Sequence, residues 1–443
     1  MPPERPPGLP FWRIWLRARH NLFAALPRKL YRAWLTEVRT PLYTAYMANQ
    51  PALVRRVLVE QAERFPKSGI VRQALGDLLG DGVFVSNGEV WKRQRRIIDP
   101  CFEGGRLRET FRPMLAAAEA LATRLERLCD GHPHEIEFEA SHAAADVIFR
   151  TMFSQPITTE MAGRVFHAFR AYQLAAPMVS PAALMRLPSW IPKFGRSRFR
   201  KGRAARDIRR LLIGLIKRRR FEIDAGCAPQ DLATAIMTTR DPVTGNGFDE
   251  TEMADQLAIF FLAGHETSAS ALAWALYLIA SNPDVQDRLH AESAPVFRVQ
   301  PDLQAVRGLE FTRNVFRETL RLYPPVPMMV REAGCPVAMR DKKIATGSQV
   351  ILSPWHLGRH ERIWERPHDF DPDRWRTDPC RRASREAYIP FSSGPRVCIG
   401  AGFAMQEGVL FLGLLTSRFR FTTIGDRVPE PMAQLTVRSR NGI

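Results

Sequence analysis

The longest apolar stretch of the chain predicts one long helix near its middle. Residues 257–280 are almost wholly apolar. Asp249 or Thr251 can cap this helix at its start, and Asn282-Pro283 ends the helical pattern. A helix of about 30 residues spans roughly 45 Å, enough to cross a whole domain. The polar group Gly264-His265-Glu266-Thr267 in its middle argues against a membrane span and favours a buried helix that widens at a functional site.

Helical patterns dominate the rest of the chain, and only a few short segments alternate as strands do. Alternation at residues 337–339 and 349–352 predicts short strands, and residues 83–85 are either a strand or a turn. The pattern therefore predicts a mainly α-helical protein with a small β region. Helical patterns cover residues 51–58, 88–100, 105–150, 158–240 with proline breaks at Pro177, Pro181, Pro188 and Pro192, and the stretch from Ala401 to Leu414.

The first 40 residues differ from the rest and are expected to lead into one main domain over residues 41–443. Residues 1–10 are proline-rich, and residues 11–19 mix aromatic and arginine side chains. No apolar run there approaches the ~20 residues of a spanning helix, and none has a secretory signal pattern. Residues 11–19 are therefore either the first helix of the fold, which we favour, or a basic amphipathic helix in peripheral contact with a membrane.

The chain is strongly basic. Its 443 residues carry a formal net charge of +18, which favours an acidic partner, an anionic membrane surface or nucleic acid. No nucleic-acid-binding motif occurs, so nucleic acid is not expected as a partner. The six cysteines form no C-x-x-C pair, which argues against structural zinc. We expect mostly buried free thiols in a reducing compartment, and hence a cytoplasmic protein.

One cysteine lies in an unusual loop, FSSGPRVCIG at residues 391–400. Cys398 lies between Gly394 and Gly400, directly before a helical pattern. The free N–H groups of a helix N-terminus favour a thiolate, and the glycines remove side chains from the approach of a flat ligand. Arg396 adds a cation suited to a carboxylate. The loop suits a metal whose other ligands are not protein, such as haem iron; a buried free cysteine in a turn is the alternative.

Two further motifs precede this loop. Glu318 and Arg321 are three residues apart in a helical pattern, and residues 370–375 read FDPDRW. The succession E-x-x-R, F-D-P-x-R-W and F-x-x-G-x-R-x-C-x-G resembles the cytochrome P-450 family of haem-thiolate monooxygenases, from about residue 80 to the C-terminus. The resemblance implies a single-domain, prism-shaped cytochrome P-450 fold, haem b as cofactor and Cys398 as iron ligand. Family members usually continue beyond the position of Ile443, which leaves a last strand pair in doubt.

The resemblance also implies roles around the cofactor. Trp91 and Arg95, four residues apart on one helical face, match a pair that binds a haem propionate, and Arg331 matches a second propionate contact. The alternative for Trp91 and Arg95 is a solvated basic helix. Other residues are expected at the haem or in a buried charge network that orders the loop before it. These are Ala263, Phe391, Arg396 and Gly400 at the haem, and Glu318, Arg321 and Arg374 in the network.

The segment A-G-x-E-T at residues 263–267 matches the family's oxygen-binding segment. This match implies that Thr267 donates a hydrogen bond to bound oxygen and that Glu266 relays protons. The alternative for Thr267 is a bond to a carbonyl of its own helix. Gly264 can let the helix kink or open, and His265 is expected to be structural. The substrate pocket is expected to include Ile259, Phe260, Ala263, Val326, Met328 and Met329.

The implied reaction inserts one atom of dioxygen into a lipophilic substrate with at most one polar end. Electrons are expected from a separate acidic protein of ferredoxin or flavodoxin type that docks beside Lys92, Arg93 and Arg96. A monomer is expected. Two alternatives stay open: a haem-thiolate isomerase or peroxygenase, which the pair Glu266-Thr267 disfavours, and a non-catalytic haem-binding or membrane-surface protein.

Overall fold

Helices make up most of the structure, as the hydrophobic pattern predicts. The computed structural model describes residues 9–39, 44–103, 105–175, 196–425 and 427–443. The four expected proline breaks (Pro177, Pro181, Pro188 and Pro192) and the expected boundary at residue 40 lie outside these residues. The α-helices are α1 Phe11–His20, α2 Pro51–Arg55, α3 Gly69–Leu79, α4 Gly88–Ile98, α5 Gly105–Glu109, α6 Phe111–Glu126, α7 Ile136–Phe153, α8 Thr159–Ala175, α9 Arg196–Asp224, α10 Leu232–Thr238, α11 Glu250–Ala280, α12 Pro283–Phe297, α13 Leu303–Gly308, α14 Glu310–Leu322, α15 Pro354–Leu357, α16 Asp378–Ala387 and α17 Ala401–Arg418.

The β region consists of short strands in three sheets. The strands are β1 Leu35–Arg39, β2 Thr44–Ala48, β3 Met329–Glu332, β4 Val337–Met339, β5 Lys342–Ile344, β6 Gln349–Leu352, β7 Pro431–Ala433 and β8 Val437–Ser439. The largest sheet has the order β1-β2-β6-β3, in which β2 and β6 are parallel and the other neighbours antiparallel. β4 pairs with β5, and β7 pairs with β8. Residues 83–85, for which a strand or a turn was expected, form a turn.

The central helix α11 has the bounds that the sequence predicts. The Asp249 side chain accepts a bond from the Glu252 backbone N–H at 2.7 Å, and the Glu252 carboxylate accepts one from the Asp249 N–H at 3.2 Å. This reciprocal capping box satisfies backbone donors at the start of the helix. No described helix is both long enough and apolar enough to cross a membrane.

The helix is continuous through Gly264. A Cβ atom at this position would lie only 3.0 Å from Cγ1 of Ile148 on α7 and closer still to its Cδ1. The missing side chain allows α7 to pack closely against the central helix. Close packing to a distant segment leaves no local mark in the sequence, so this role of Gly264 was not predicted.

The structure brings Glu318, Arg321 and Arg374 together in a buried cluster. Glu318 is fully buried and accepts bonds from Arg321 Nη2 at 2.7 Å and Arg374 Nε at 2.8 Å. It also accepts bonds from the Trp375 indole at 3.1 Å and the Asp371 N–H at 3.1 Å. Because one carboxylate orders two guanidinium groups and a turn, the cluster holds together the chain segment that leads to the Cys398 loop.

The same guanidinium groups hold the preceding loop through its carbonyls. Arg321 donates to the carbonyls of Gly358 at 2.5 Å and Pro367 at 2.6 Å, and both arginines donate to that of Asp369. Every one of these contacts replaces a bond that the buried cations would otherwise make with water. The cluster is therefore satisfied by backbone as well as by charge.

Residues 21–39 pack into this same unit. The Trp355 indole donates to the Tyr31 hydroxyl at 2.9 Å. Asn21 donates to the Pro431 carbonyl at 3.2 Å and accepts from the Ala433 N–H at 3.1 Å. The N-terminal part of the described chain is thus joined to the C-terminal hairpin β7–β8.

Replacement of Glu318 tests the buried cluster. Glu318→Gln keeps the side-chain shape but leaves two buried guanidinium groups without a counter-charge, which should cost about 3–5 kcal/mol of stability. Unfolding in denaturant, followed by circular dichroism, measures this loss. Glu310→Gln on the same helix is the control. Glu310 is exposed and lies 3.7 Å from the exposed Arg376, and such a surface ion pair contributes little to stability. Equal unfolding midpoints for the two variants would show that the cluster is not stabilising.

Candidate active site

The Cys398 loop is ordered by backbone hydrogen bonds before α17 begins. The Cys398 N–H donates to the Phe391 carbonyl at 2.9 Å, and the Val397 N–H donates to that of Gly394 at 3.0 Å. The two glycines have different tasks. Gly394 has φ +70°, and a Cβ there would overlap the backbone of residues 58–59, so Gly394 permits close packing of the loop. At Gly400 the nearest atom to an added Cβ is the Cys398 Sγ at 4.0 Å, so only Gly400 has the expected position beside the thiol.

The Cys398 thiol is exposed, yet it lies deep among protein atoms. This desolvation raises the pKa of the Cys398 thiol, while the Gly400 N–H and then the charges of Arg95 and Lys67 lower it. The net direction is upward, so the protein alone does not favour the thiolate that the helix N-terminus suggested. Of the six cysteines only Cys101 and Cys380 are buried, which corrects the expectation of mostly buried thiols.

Three cations converge near this thiol without a carboxylate partner among the described residues. An isolated β-bridge places Lys67 beside Arg331, and the Lys67 Nζ lies 3.5 Å from the centre of the Phe84 ring. Burial lowers the pKa of Arg331 to about 10. Burial, followed by the charges of Arg331 and Arg95, lowers the pKa of Arg396 to about 9. Burial, followed by the charges of Arg331 and Arg396, lowers the pKa of Lys67 well below its ordinary value. A ligand with carboxylate groups would relieve this repulsion.

Helix α4 joins this cationic group through Trp91 and Arg95. The Arg396 guanidinium lies 4.0 Å from the centre of the Trp91 ring, a cation–π distance. Arg95 donates to the Val397 carbonyl at 3.1 Å and pairs with Asp99 at 2.7 Å. The structure therefore brings Trp91, Arg95 and Arg396 together beside the Cys398 loop, as their expected shared role requires.

The central helix carries a small exposed side chain near its middle. Ala263 is exposed although Leu262 and Ile259 beside it are buried, so an open space adjoins the helix at this point. The Thr267 hydroxyl donates to the Ala263 carbonyl one turn earlier, which is the structural alternative considered for this threonine. Its oxygen can still accept a hydrogen bond.

The central helix packs on α17, the helix that follows Cys398. The Ser268 hydroxyl donates to Glu407 Oε2 at 2.6 Å. Glu407 is buried, and burial raises its pKa to about 8, so the carboxyl is protonated at neutral pH. Glu266 is also buried but accepts a bond from Arg438 Nη2 at 2.6 Å, from strand β8.

The expected pocket residues come from two segments of the chain. Ile259, Phe260 and Ala263 lie on the central helix, and the ring of Phe260 lies 5.4 Å from that of Phe102. The remaining three precede or begin strand β3. Val326 is half-buried, Met328 packs with a cluster that includes Trp274 and Trp355, and Met329 packs with another that includes Leu58 and Trp375.

Two of the three cations expected on the docking face are bound internally. Arg93 pairs with Glu252 at 2.6 Å, and Arg96 pairs with the buried Asp241 at 2.6 Å. Lys92 has an exposed side chain that pairs with Glu89 at 3.0 Å. Arg93 and Arg96 therefore attach α4 to neighbouring segments, and of the three only Lys92 points clearly outward.

Sequence reasoning missed Lys67, Glu407 and Arg438. Glu407 could have been found, because it is a lone acid in the apolar pattern after Ala401. Lys67 and Arg438 have no such signal, since each meets its partners through segments distant in the chain.

The residues present fit haem b. Its two propionate carboxylates match Lys67, Arg331 and Arg396, which have no carboxylate partner among the described residues. The exposed Cys398 thiol can coordinate an iron, and the exposed Ala263 on the central helix leaves room for a flat ring. These three features come from distant parts of the chain.

Comparison with known proteins agrees with this geometry. The family model described as Cytochrome P450 matches residues 2–442. The cyclooctat-9-en-7-ol 5-monooxygenase of Streptomyces melanosporofaciens is 31% identical, over 96% of this chain and 92% of its own length. The pentalenene oxygenase of Streptomyces avermitilis is 30% identical, over 91% of this chain and 87% of its own. A cytokinin hydroxylase of Arabidopsis thaliana is 27% identical, over 89% and 77%. With its helical fold, its cysteine loop and this match over nearly its whole length, the chain belongs to the cytochrome P450 family, the haem-thiolate monooxygenases.

Proposed function

We propose that this monooxygenase binds haem b through Cys398 and oxidises a lipophilic substrate beside Ala263 of the central helix. The exposed Cys398 thiol, set in protein beside a group of unpaired cations, is the observation that supports this assignment most strongly. A metal ion favours the thiolate outright, and this overcomes the desolvation that raises the pKa of the free thiol. Bound there, haem b supplies the activation of dioxygen, and the thiolate promotes O–O cleavage.

Four cations and one aromatic ring are proposed to hold the propionates. Lys67, Arg331 and Arg396 have no carboxylate partner among the described residues. Arg95 donates a hydrogen bond to the Val397 carbonyl in the Cys398 loop. Trp91 stacks on Arg396 and so restricts its direction. The cations would bind and orient the cofactor, and their mutual repulsion would fall when it binds.

Thr267 and Glu266 are proposed to deliver protons at the oxygen-binding segment. The Thr267 hydroxyl has Ala263 as its acceptor, so its own oxygen is available to accept a bond from a donor in the open space. Glu266 directly precedes Thr267 in the chain. It is buried and ionisable, and it can exchange a proton. This pair would supply the two protons that the reaction consumes.

The substrate is proposed to be largely hydrocarbon. The described pocket side chains on the central helix, Ile259, Phe260 and Ala263, are apolar and recognise shape and area. Two relatives are named for pentalenene, an alkene, and for cyclooctat-9-en-7-ol, an alcohol. Both names agree with a lipophilic molecule that has at most one polar end. Val326, Met328 and Met329 remain proposed pocket residues, although the two methionines pack in other clusters.

The electron donor is proposed to be a separate acidic ferredoxin or flavodoxin. Exposed cations of α5 and α6 fit its docking face better than Arg93 or Arg96. Leu107 of α5 contacts the start of α17, and Gln406 donates to its carbonyl at 3.4 Å, so α5 lies beside the helix that follows Cys398. The exposed cations there are Arg106, Arg108 and Arg112.

A cytoplasmic, monomeric protein remains part of the proposal. All six cysteines are unpaired, which is typical of a reducing compartment.

Replacement of the proposed ligand is the first test. Cys398→Ser should abolish the thiolate-type optical signature of the reduced carbon-monoxide complex, because a serine oxygen does not donate as a thiolate does. Cys129→Ser is the control, since Cys129 is also exposed but lies outside the loop. Retention of the signature in Cys398→Ser, with its loss on replacing another cysteine, would show that the ligand is misassigned.

Replacement of Thr267 tests proton delivery. Thr267→Ala should leave haem binding intact, because it removes little volume, but should lower product formed per electron severalfold and raise peroxide release. Thr267→Ser keeps the hydroxyl and should behave like the unchanged protein. Equal product yield per electron in the alanine variant would contradict the assigned role.

Charge reversal tests the docking face. Arg106→Glu/Arg108→Glu should slow reduction by an acidic donor about tenfold at low salt, with a smaller effect when the Debye length falls to ~8 Å. Substrate binding, followed optically, should be unchanged. Arg206→Glu/Arg210→Glu, an exposed pair on α9, is the control. Reduction rates independent of both reversals and of salt would place the docking surface elsewhere.

A further inference from the structure

The isolated β-bridge between Lys67 and Arg331 places two like charges side by side. Its two hydrogen bonds, at 3.0 and 3.4 Å, join the residues before and after these two. Lys67 and Arg331 are therefore a non-hydrogen-bonded antiparallel pair, in which opposite Cα atoms lie only about 4.5 Å apart. Like charges directly opposite each other destabilise such a pair. The N–H and carbonyl of Lys67 point away from β3, so both need partners on the other side.

The side chain of Asn87 supplies both of these partners. Asn87 Oδ1 accepts a bond from the Lys67 N–H at 3.0 Å, and Asn87 Nδ2 donates to the Lys67 carbonyl at 3.1 Å. The amide therefore pairs with Lys67 as the backbone of a neighbouring strand would. The same Oδ1 accepts a third bond, from Arg396 Nη2 at 2.9 Å. One side chain thus joins the segment beside Arg331 to the guanidinium group of the Cys398 loop.

This role differs from the one that the position of Asn87 in the chain indicates. Asn87 directly precedes α4, where asparagine commonly caps a helix by accepting from N–H groups of the first turn. The Asn87 side chain makes no such bond. A serine hydroxyl could cap the helix, but it cannot present the paired donor and acceptor that the amide presents to Lys67. Asparagine at this position is therefore explained by its contacts with Lys67 and Arg396.

The amide holds the cations without neutralising them. A carboxylate in place of Asn87 would supply Lys67 and Arg396 with an internal counter-charge, whereas the amide is neutral. The second guanidinium donor, Arg396 Nη1, also has a neutral acceptor, the Ser86 carbonyl at 2.9 Å. The Trp91 ring, 4.0 Å from the same guanidinium, is uncharged as well. These contacts fix the direction of the cation and leave its charge available to an anion from outside.

We propose that Asn87 is a positioning residue, which holds the surrounding cations in place before the cofactor carboxylates bind. These cations are Lys67, Arg331 and Arg396. The inference rests on the proposed propionate site. Because the protein holds the cations together in advance, less of their attraction for the propionates is spent on ordering them. Loss of Asn87 should therefore weaken the binding of a ligand that has carboxylates and spare one that has none.

Two ligands and two variants of the full chain test this inference. Haem b carries two propionates, and its dimethyl ester has the same ring and iron without free carboxylates. Asn87→Ser removes the amide but keeps a side chain that can cap α4. Asn282→Ser is the control, because Asn282 also directly precedes a helix, α12, without capping it, and bonds the Leu278 carbonyl at 2.7 Å. Melting temperatures check that each variant is folded.

The first measurement is the rate at which each ligand is lost to an excess of a haem-scavenging globin. The unchanged protein should lose the ester about tenfold faster than haem b, or faster still, because bonds to charged groups are lost. Asn87→Ser should lose haem b about tenfold faster than the unchanged protein, while its loss of the ester stays the same. Asn282→Ser should match the unchanged protein with both ligands.

The second measurement needs no cofactor. In the cofactor-free full chain, the Lys67 amide proton should be protected from hydrogen exchange, because Asn87 Oδ1 is its acceptor. In Asn87→Ser the same proton should exchange about tenfold faster, since loss of one hydrogen bond is of that order. An unprotected Lys67 amide in the unchanged cofactor-free protein would overturn the claim that the cations are held in advance.

Two further outcomes contradict a positioning role. Equal acceleration of the loss of haem b and of its ester in Asn87→Ser would show that Asn87 is structural only. An unchanged rate of haem b loss in that variant would show that the cations do not depend on the amide. Failure of the proposed propionate site is distinguishable, since the unchanged protein would then lose both ligands at the same rate.

Discussion

The buried carboxylate of Glu318 is the interaction on which the rest of the site depends. Two guanidinium groups, an indole and a backbone N–H share its two oxygens, and the remaining guanidinium donors take carbonyls of the preceding loop. Each of these bonds is internal, so no part of the cluster depends on solvent. Removal of the single anion leaves the two cations uncompensated, and the segment that leads to Cys398 then loses its common attachment point.

The cations beside Cys398, unlike those around Glu318, have no carboxylate partner among the described residues. Glu318 and its partners are satisfied within the protein, whereas burial lowers the pKa values of Lys67, Arg331 and Arg396. The charges of neighbouring cations lower the pKa values of Lys67 and Arg396 further. The same surroundings raise the pKa of Cys398. Haem b bound at the proposed site would correct both imbalances, because its carboxylates would face the cations and its metal ion would bind the thiol. Cofactor binding should therefore contribute to stability as well as to function.

The sequence predicted those features that have a local cause. The capping residue Asp249 and the break at Asn282-Pro283 bound the central helix, and Glu318 and Arg321 meet because they lie one helical turn apart. It failed where distant segments decide, because the assignment of Arg93 and Arg96 to a docking face missed their ion pairs with Glu252 and Asp241. Lys67 and Arg438 were missed for the same reason, since neither has a neighbour in sequence that indicates its role.

The contacts of the C-terminal hairpin also bear on how the protein folds. Asn21 makes hydrogen bonds with Pro431 and Ala433, which lie 410 and 412 positions later in the chain. The Val437 carbonyl accepts hydrogen bonds from two side chains of the central helix. Such long sequence separations slow folding, because the closure entropy of a long loop comes before its contacts form. During synthesis this hairpin is made after the segments that it contacts. Until the hairpin is made, the aromatic cluster around Trp274 lacks the cover of Ala433 and Val437 and exposes apolar surface.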